Sequence, residues 1–130
     1  MLKQKYFLLL LFICAGFRFS LAQSDTVQIV SPQHFNRILH LNPDAELIDI
    51  RAKKEFKKGH IKGALSAEKS EILFQLIDSL GSHKVYLIYC KYGERSISAG
   101  KMIYEKYGIH VVSLEDGLDY WKESGFEVVK

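Results

Sequence analysis

The chain has 130 residues, 48% hydrophobic and 25% charged, with nine glycines, two prolines and a formal charge of +3. That length suits one domain and that composition an ordinary globular protein, which excludes disorder, a collagen-like repeat and a coiled coil. No run reaches the ~18 consecutive apolar residues of a membrane-spanning helix.

Residues 1–22 depart from this average. Lys3 and Lys5 precede an apolar run from Tyr6 to Phe17, followed by Arg18 and the small-residue ending Ser20-Leu21-Ala22. A basic start, a short apolar centre and an Ala-x-Ala-like site predict a secretory signal peptide cut after Ala22, and so a periplasmic or secreted protein that leaves the membrane after cleavage. An uncleaved anchor is the alternative, although the run is short for a crossing helix. A lipoprotein cut before Cys14 fits less well, because the bulky Phe12-Ile13 precedes it.

Cleavage would remove Lys3, Lys5 and Arg18 and no acid, bringing the charge to zero. A nucleic-acid partner then loses its support, since neutralising phosphates needs a clustered basic excess. Cleavage would also remove Cys14 and leave Cys90 alone, with no partner for an internal disulfide. That thiol is either a small buried hydrophobe or a reactive group.

Strand-like and helix-like segments alternate from residue 27 onward. Val27 to Val30 is a strand, and Ser31-Pro32 suits an N-cap with proline at the first helical position. Phe35, Ile38 and Leu39 follow at helical spacing until Pro43. Glu46 to Ile50 is the second strand, Arg51 to Lys58 one short helical turn closed by Gly59, and Ile61 to Leu65 a brief extended piece. Ile72, Leu73, Leu76, Ile77 and Leu80 share one face of a helix that Gly81 ends.

Val85 to Tyr89 is an uninterrupted apolar strand of the kind buried on both faces of a parallel sheet, and Cys90 follows it directly. A helix over 96–107 carries Ile97, Ile103, Tyr104 and Tyr107 on its apolar side and ends at Gly108. Val111 to Leu114 is the last strand and 117–124 the last helix, stopped by Gly125. The alternation predicts a three-layer α/β domain with a mainly parallel central sheet flanked by helices. Ligands of such sheets bind beyond the carboxyl ends of the strands, where Cys90 sits.

The stretch Cys90-Lys91-Tyr92-Gly93-Glu94-Arg95-Ser96 lies between a buried strand and a helix start. So tight a turn points backbone N–H groups into a concave nest, and the helix adds positive partial charge, which together favour a thiolate. Lys91 and Arg95 act in the same sense and Glu94 opposes them. The flanking Lys91, Gly93 and Arg95 argue that the thiol is exposed. By default Asp49, Arg51, Glu55 and His60 form a buried hydrogen-bonded cluster that locks the loops, and Trp121 belongs to the core. His34, His40, His83 and His110 lack metal-ligand spacing.

The chain resembles the single-domain rhodaneses, the thiosulfate sulfurtransferase-like family, from about Val27 to Val129. Leu47-Ile48-Asp49-Ile50-Arg51, Glu55-Phe56 and Gly59-His60-Ile61-Lys62-Gly63-Ala64 match its D-x-R, E-[FY] and G-H-I-x-G-A blocks. The cysteine stretch matches its C-x-x-G-x-R-S loop, and Gly117, Trp121 and Gly125-Phe126 match its ending. The resemblance implies a rhodanese-like domain over 23–130 that moves sulfane sulfur from a donor such as thiosulfate to a thiophilic acceptor through a Cys90 persulfide. A non-catalytic sulfur carrier or protein-binding module is the alternative.

In that reading Cys90 is the nucleophile, the amides of residues 91–96 stabilise thiolate and persulfide, and Arg95 with Lys91 positions a small anionic donor. No metal or organic cofactor is required, and the acceptor is an external thiol, cyanide or a reduced partner protein. Related phosphatases and arsenate reductases hold their oxyanion in a loop with five residues between cysteine and arginine; here there are four. The chain departs from the family pattern at Leu65-Ser66-Ala67-Glu68, where an N-I-P-like step is usual, and at Asp116, where the first of two glycines is usual.

Overall fold

The computed structural model describes residues 26–130, so the signal-peptide reading of residues 1–22 lies outside the described residues. Five strands form one sheet: β1 (Val27–Val30), β2 (Ala45–Asp49), β3 (Leu65–Ser66), β4 (Val85–Tyr89) and β5 (Val111–Leu114). Their spatial order is β1-β5-β4-β2-β3 and every pair is parallel. Five helices connect or flank them: α1 (Pro32–Leu41), α2 (Lys53–Lys58), α3 (Ser70–Leu80), α4 (Glu94–Tyr107) and α5 (Gly117–Glu123).

Successive residues of a strand face opposite sides, so each strand feeds two cores. Ile48, Tyr86, Ile88 and Val111 pack with Leu73 and Ile77 of α3 and Ala99 and Ile103 of α4. Leu47, Leu87, Tyr89, Val112 and Leu114 pack with Phe35 of α1 and Leu118 and Trp121 of α5. The result is the expected three-layer α/β domain. Trp121 lies in the second core, edge-on to Phe35 and stacked on Phe126, with its indole N–H donating to Glu127 O.

Local chemistry sets the element ends. Ser31 Oγ accepts from His34 N at 3.3 Å, as an N-cap should, and Pro32 opens α1. Gly81 and Gly108 end α3 and α4 at φ +98° and +67°.

Four expectations are corrected. The stretch Ile61 to Leu65 is not extended: Gly63 at φ +88° and the bond from Ala64 N to Ile61 O fold it into a turn, and the strand is Leu65–Ser66. The second strand runs one residue earlier than expected, Ala45–Asp49, because Val85 N already pairs with Asp44 O. The helix after the cysteine begins at Glu94, since Gly93 in the left-handed region turns the chain into it. Ile72 is 40% exposed, because α3 meets the sheet through Leu73 and Ile77. Among the described residues no helix is long and apolar enough to cross a membrane.

Candidate active site

The site is the loop from the end of β4 to the start of α4. Cys90 is the first residue past β4, and the strand's alternation turns its side chain toward α3 and α4. The thiol is only 1% exposed, which overturns the expectation of an exposed sulfur. The polar neighbours behind that expectation are themselves at the surface: Lys91, Tyr92, Glu94 and Arg95 are exposed while the loop folds over Sγ.

Gly93 N donates to Cys90 Sγ at 3.1 Å, and the thiol donates to Ser96 Oγ at 3.6 Å. Of the loop amides expected to face the sulfur, Gly93's is the one in hydrogen-bond distance among the described residues. The amides of Glu94, Arg95 and Ser96 open α4, where helix geometry leaves N–H groups without an intrahelical acceptor. Ser96, wholly buried, donates to Gly93 O at 2.9 Å and sits 2.8 Å from Ser113 Oγ of β5.

Gly93 has φ +97°, and a Cβ there would stand 3.1 Å from Asp116 N, so both conformation and space call for glycine. The start of α5 holds the loop from its other side: Leu118 N donates to Cys90 O at 2.9 Å and Asp119 N to Lys91 O at 3.3 Å. In a trans peptide C=O and N–H point opposite ways, so these bonds aim the amides of Lys91 and Tyr92 away from α5.

Gly117 makes that approach work. At φ +68° a Cβ would overlap the Lys91 carbonyl and lie 2.6 Å from Cys90 O. Gly117→Ala is therefore expected to cost about 2–4 kcal/mol of stability and to push the loop off α5. Denaturant unfolding together with the Cys90 alkylation rate checks this; a loss under about 0.5 kcal/mol would contradict it.

Arg95 leaves the loop sideways. Its Nη2 donates to Ile50 O at 3.3 Å, and its side chain lines a groove of about 390 Å³ with Ile50, Lys69, Ser70, Leu73 and Met102. Lys91 places its ammonium 5.0 Å from the centre of the Tyr92 ring, and Tyr92 is 63% exposed. The Tyr92 side chain, then Asp119, holds the Lys91 ammonium above its usual range.

A family model described as the rhodanese-like domain matches residues 31–124, spanning α1 through α5 and the whole cysteine loop. The chain belongs to the rhodanese-like family. It is 32% identical over 90 residues to a tRNA sulfurtransferase of Pyrobaculum aerophilum, covering 69% of this chain and 18% of that protein. It is 25% identical over 99 residues to the thiosulfate sulfurtransferase GlpE of Pseudomonas aeruginosa, covering 76% of this chain and 87% of GlpE. The crystal structure of a rhodanese-related protein from Thermoplasma volcanium superposes with a TM-score of 0.66 at 22% identity, covering 78% of this chain and 97% of that one, which shows a shared fold.

The rhodanese-like blocks outside the loop make contacts divided differently from the expected single cluster. Asp49 and Arg51 form a buried bidentate pair, with Arg51 Nε 3.1 Å from both carboxylate oxygens and Nη2 2.7 Å from Oδ2. Arg51 Nη2 also donates to Gly59 O at 2.6 Å. Burial opposes the Arg51 charge, but the bonded Asp49 carboxylate outweighs it and the guanidinium's pKa is raised. Glu55 and His60 do not join the pair. Glu55 lies in the first turn of α2, where a negative charge suits the helix dipole, and His60 bonds Phe56 O through Nδ1 while stacking on the Phe56 ring at 3.8 Å.

Tyr89 is the member that sequence reasoning missed. Its hydroxyl accepts from Ile61 N at 3.0 Å, the Asp49 carboxylate faces it from the paired position on β2, and Arg51 lies 5.9 Å from its ring centre. The available signal was a tyrosine ending an otherwise apolar buried strand, since a buried phenol must find a partner. Ser113 carries a similar signal, a hydroxyl inside the apolar run Val111-Val112-Ser113-Leu114.

Burial, and then the adjoining Asp49 carboxylate, push the Tyr89 phenol far above the ordinary tyrosine value of 10.0. A raised folded value means stability that is fully present below the unfolded value and lost as pH rises past it. Stability is therefore expected to fall above about pH 10 by up to about 1.4 kcal/mol per pH unit from this group. Tyr89→Phe should flatten that slope in denaturant unfolding at alkaline pH; an unchanged slope would contradict the assignment.

Proposed function

We propose that the protein is a sulfurtransferase working through a persulfide on Cys90. The observation that carries this is the placement of one thiol against the Gly93 amide at the mouth of the α4 N-terminus, in the loop that the rhodanese-like match covers. The Cys90 thiolate attacks the outer sulfur of a small anionic donor such as thiosulfate. The new Sγ–S bond forms as the donor's S–S bond breaks, and sulfite leaves with the bonding electron pair. The nucleophile of an external acceptor, a thiolate, cyanide or a reduced protein, then takes the outer sulfur and returns Cys90 as thiolate. The first-turn amides of α4 stabilise the charge on the sulfur in both states.

Arg95, exposed at the loop edge, attracts the donor. Arg95→Ala is expected to lower kcat/KM for thiosulfate by about tenfold or more through KM, with unfolding unchanged, because its one side-chain hydrogen bond among the described residues is the 3.3 Å contact to Ile50 O. Equal losses for thiosulfate and an uncharged sulfane donor would contradict this role.

The burial of Cys90 favours a second reading, a carrier or binding module that accepts sulfur slowly and passes it to one protein. Steady-state release of sulfite with formation of thiocyanate from cyanide separates the two. Many turnovers per chain support the enzyme; a single stoichiometric loading supports the carrier. With residues 1–22 as an export signal, the acceptor belongs to the periplasm or the exterior.

A further inference from the structure

We infer that Ser113, on the strand beside the one that carries the cysteine, is a positioning residue that sets the Ser96 hydroxyl to serve Cys90. The inference rests on the reading of Cys90 as the nucleophile. Ser113 pairs in register with Ile88, two residues before Cys90, and shares with Val111 the sheet face that packs on α3 and α4. Ser113 and Ser96 are both 0% exposed, and their hydroxyl oxygens are 2.8 Å apart.

Counting protons fixes the directions. A serine hydroxyl has one proton and two acceptor sites. Gly93 O can only accept, so the Ser96 proton lies on the 2.9 Å bond to that carbonyl. Ser96 Oγ then receives the Cys90 S–H at 3.6 Å and the Ser113 O–H at 2.8 Å, which fills its capacity.

When the thiol proton passes to solvent, the sulfur changes from donor to acceptor. Gly93 N–H already points at it. The Ser96 proton swings from Gly93 O to Sγ and becomes the second donor, while Ser113 keeps its bond to Ser96 Oγ. That bond holds the oxygen in place through the swing and polarises the hydroxyl toward the sulfur, an effect that grows in a dry interior. A purely space-filling Ser113 would affect stability and leave the thiolate alone.

The test is the pH profile of Cys90 alkylation by iodoacetamide in the full chain, with modification located at Cys90 by peptide mass so that Cys14 does not interfere. Ser113→Ala should slow alkylation at neutral pH about three- to tenfold, the worth of one hydrogen bond, and displace the profile to higher pH with the plateau unchanged. Ser113→Thr and Ser113→Val share a shape and differ in the hydroxyl, so they carry the test if the alanine variant does not fold: threonine should keep the wild-type profile and valine should not. Folded Ala or Val variants with the wild-type profile overturn the inference. Persulfide formation by the wild-type chain with thiosulfate, measured separately, tests the sulfurtransferase reading itself. A displaced profile without persulfide would sink that reading and leave the placement of Ser113 standing.

Discussion

Cys90→Ser should abolish the proposed sulfur transfer and leave the domain folded. The hydroxyl that replaces the thiol can still accept from Gly93 N–H and donate to Ser96 Oγ, so the two contacts made by Sγ survive in kind. The stability change should stay within about 2 kcal/mol, the scale of a buried polar adjustment whose partners remain. Chemistry has no such substitute, because a serine hydroxyl is weakly nucleophilic unless a base activates it. Among the described residues no histidine or carboxylate bonds to Ser96 or Cys90 to act as that base. Turnover should fall to the uncatalysed background, read as sulfite released from thiosulfate by a variant that unfolds like the wild type. Substantial residual turnover would place the sulfur elsewhere.

Asp49→Ala should give the largest stability loss, about 3–5 kcal/mol, because it strands the Arg51 guanidinium in a site where the arginine side chain is 7% exposed and the aspartate 0%. The carboxylate serves two groups at once: the Arg51 fork, and Arg51 N at 2.9 Å. Removing it also frees the Gly59–Ile61 turn, which Arg51 and Tyr89 tie to the sheet through Gly59 O and Ile61 N. Asp49→Leu combined with Arg51→Met should recover much of the loss, since an apolar pair removes both charges from the interior. Denaturant unfolding of the three proteins checks this. A single-variant loss below about 1 kcal/mol would mean the pair behaves like a surface ion pair.

The layers were legible because they rest on short-range periodicity. Val85–Tyr89 and Val111–Leu114 read as buried strands from their apolar runs, and Ser31-Pro32 and Gly108 mark helix ends by local chemistry. The loop was legible for a similar reason, as seven consecutive residues at a strand-to-helix junction. Long-range contacts were not legible. The turn after His60 is shaped by its antiparallel bridge to Val129, almost seventy residues away, and periodicity within the segment carries no trace of that. The burial of Cys90 depends on α5 gripping the carbonyls of Cys90 and Lys91, a contact across the fold that polar flanking residues disguise. The partners of Asp49 were half legible: Arg51 is two residues away, whereas Tyr89 arrives from the adjacent strand by register.

Asp116, where the family pattern has glycine, sits at φ +55°. An aspartate adopts that region at modest cost, and the close approach to the loop is left to Gly117. The departure thus falls on a turn residue, while the position against the Cys90 carbonyl keeps its glycine.

The most direct measurement of the central claim is the mass of the full chain after incubation with thiosulfate, with peptide mapping to locate any change. A gain of about 32 Da on the Cys90 peptide, reversed by cyanide or a small thiol, is the predicted result for one sulfur held as a persulfide. An unmodified Cys90 in folded protein, after exposure to several sulfane donors, would contradict the sulfurtransferase account.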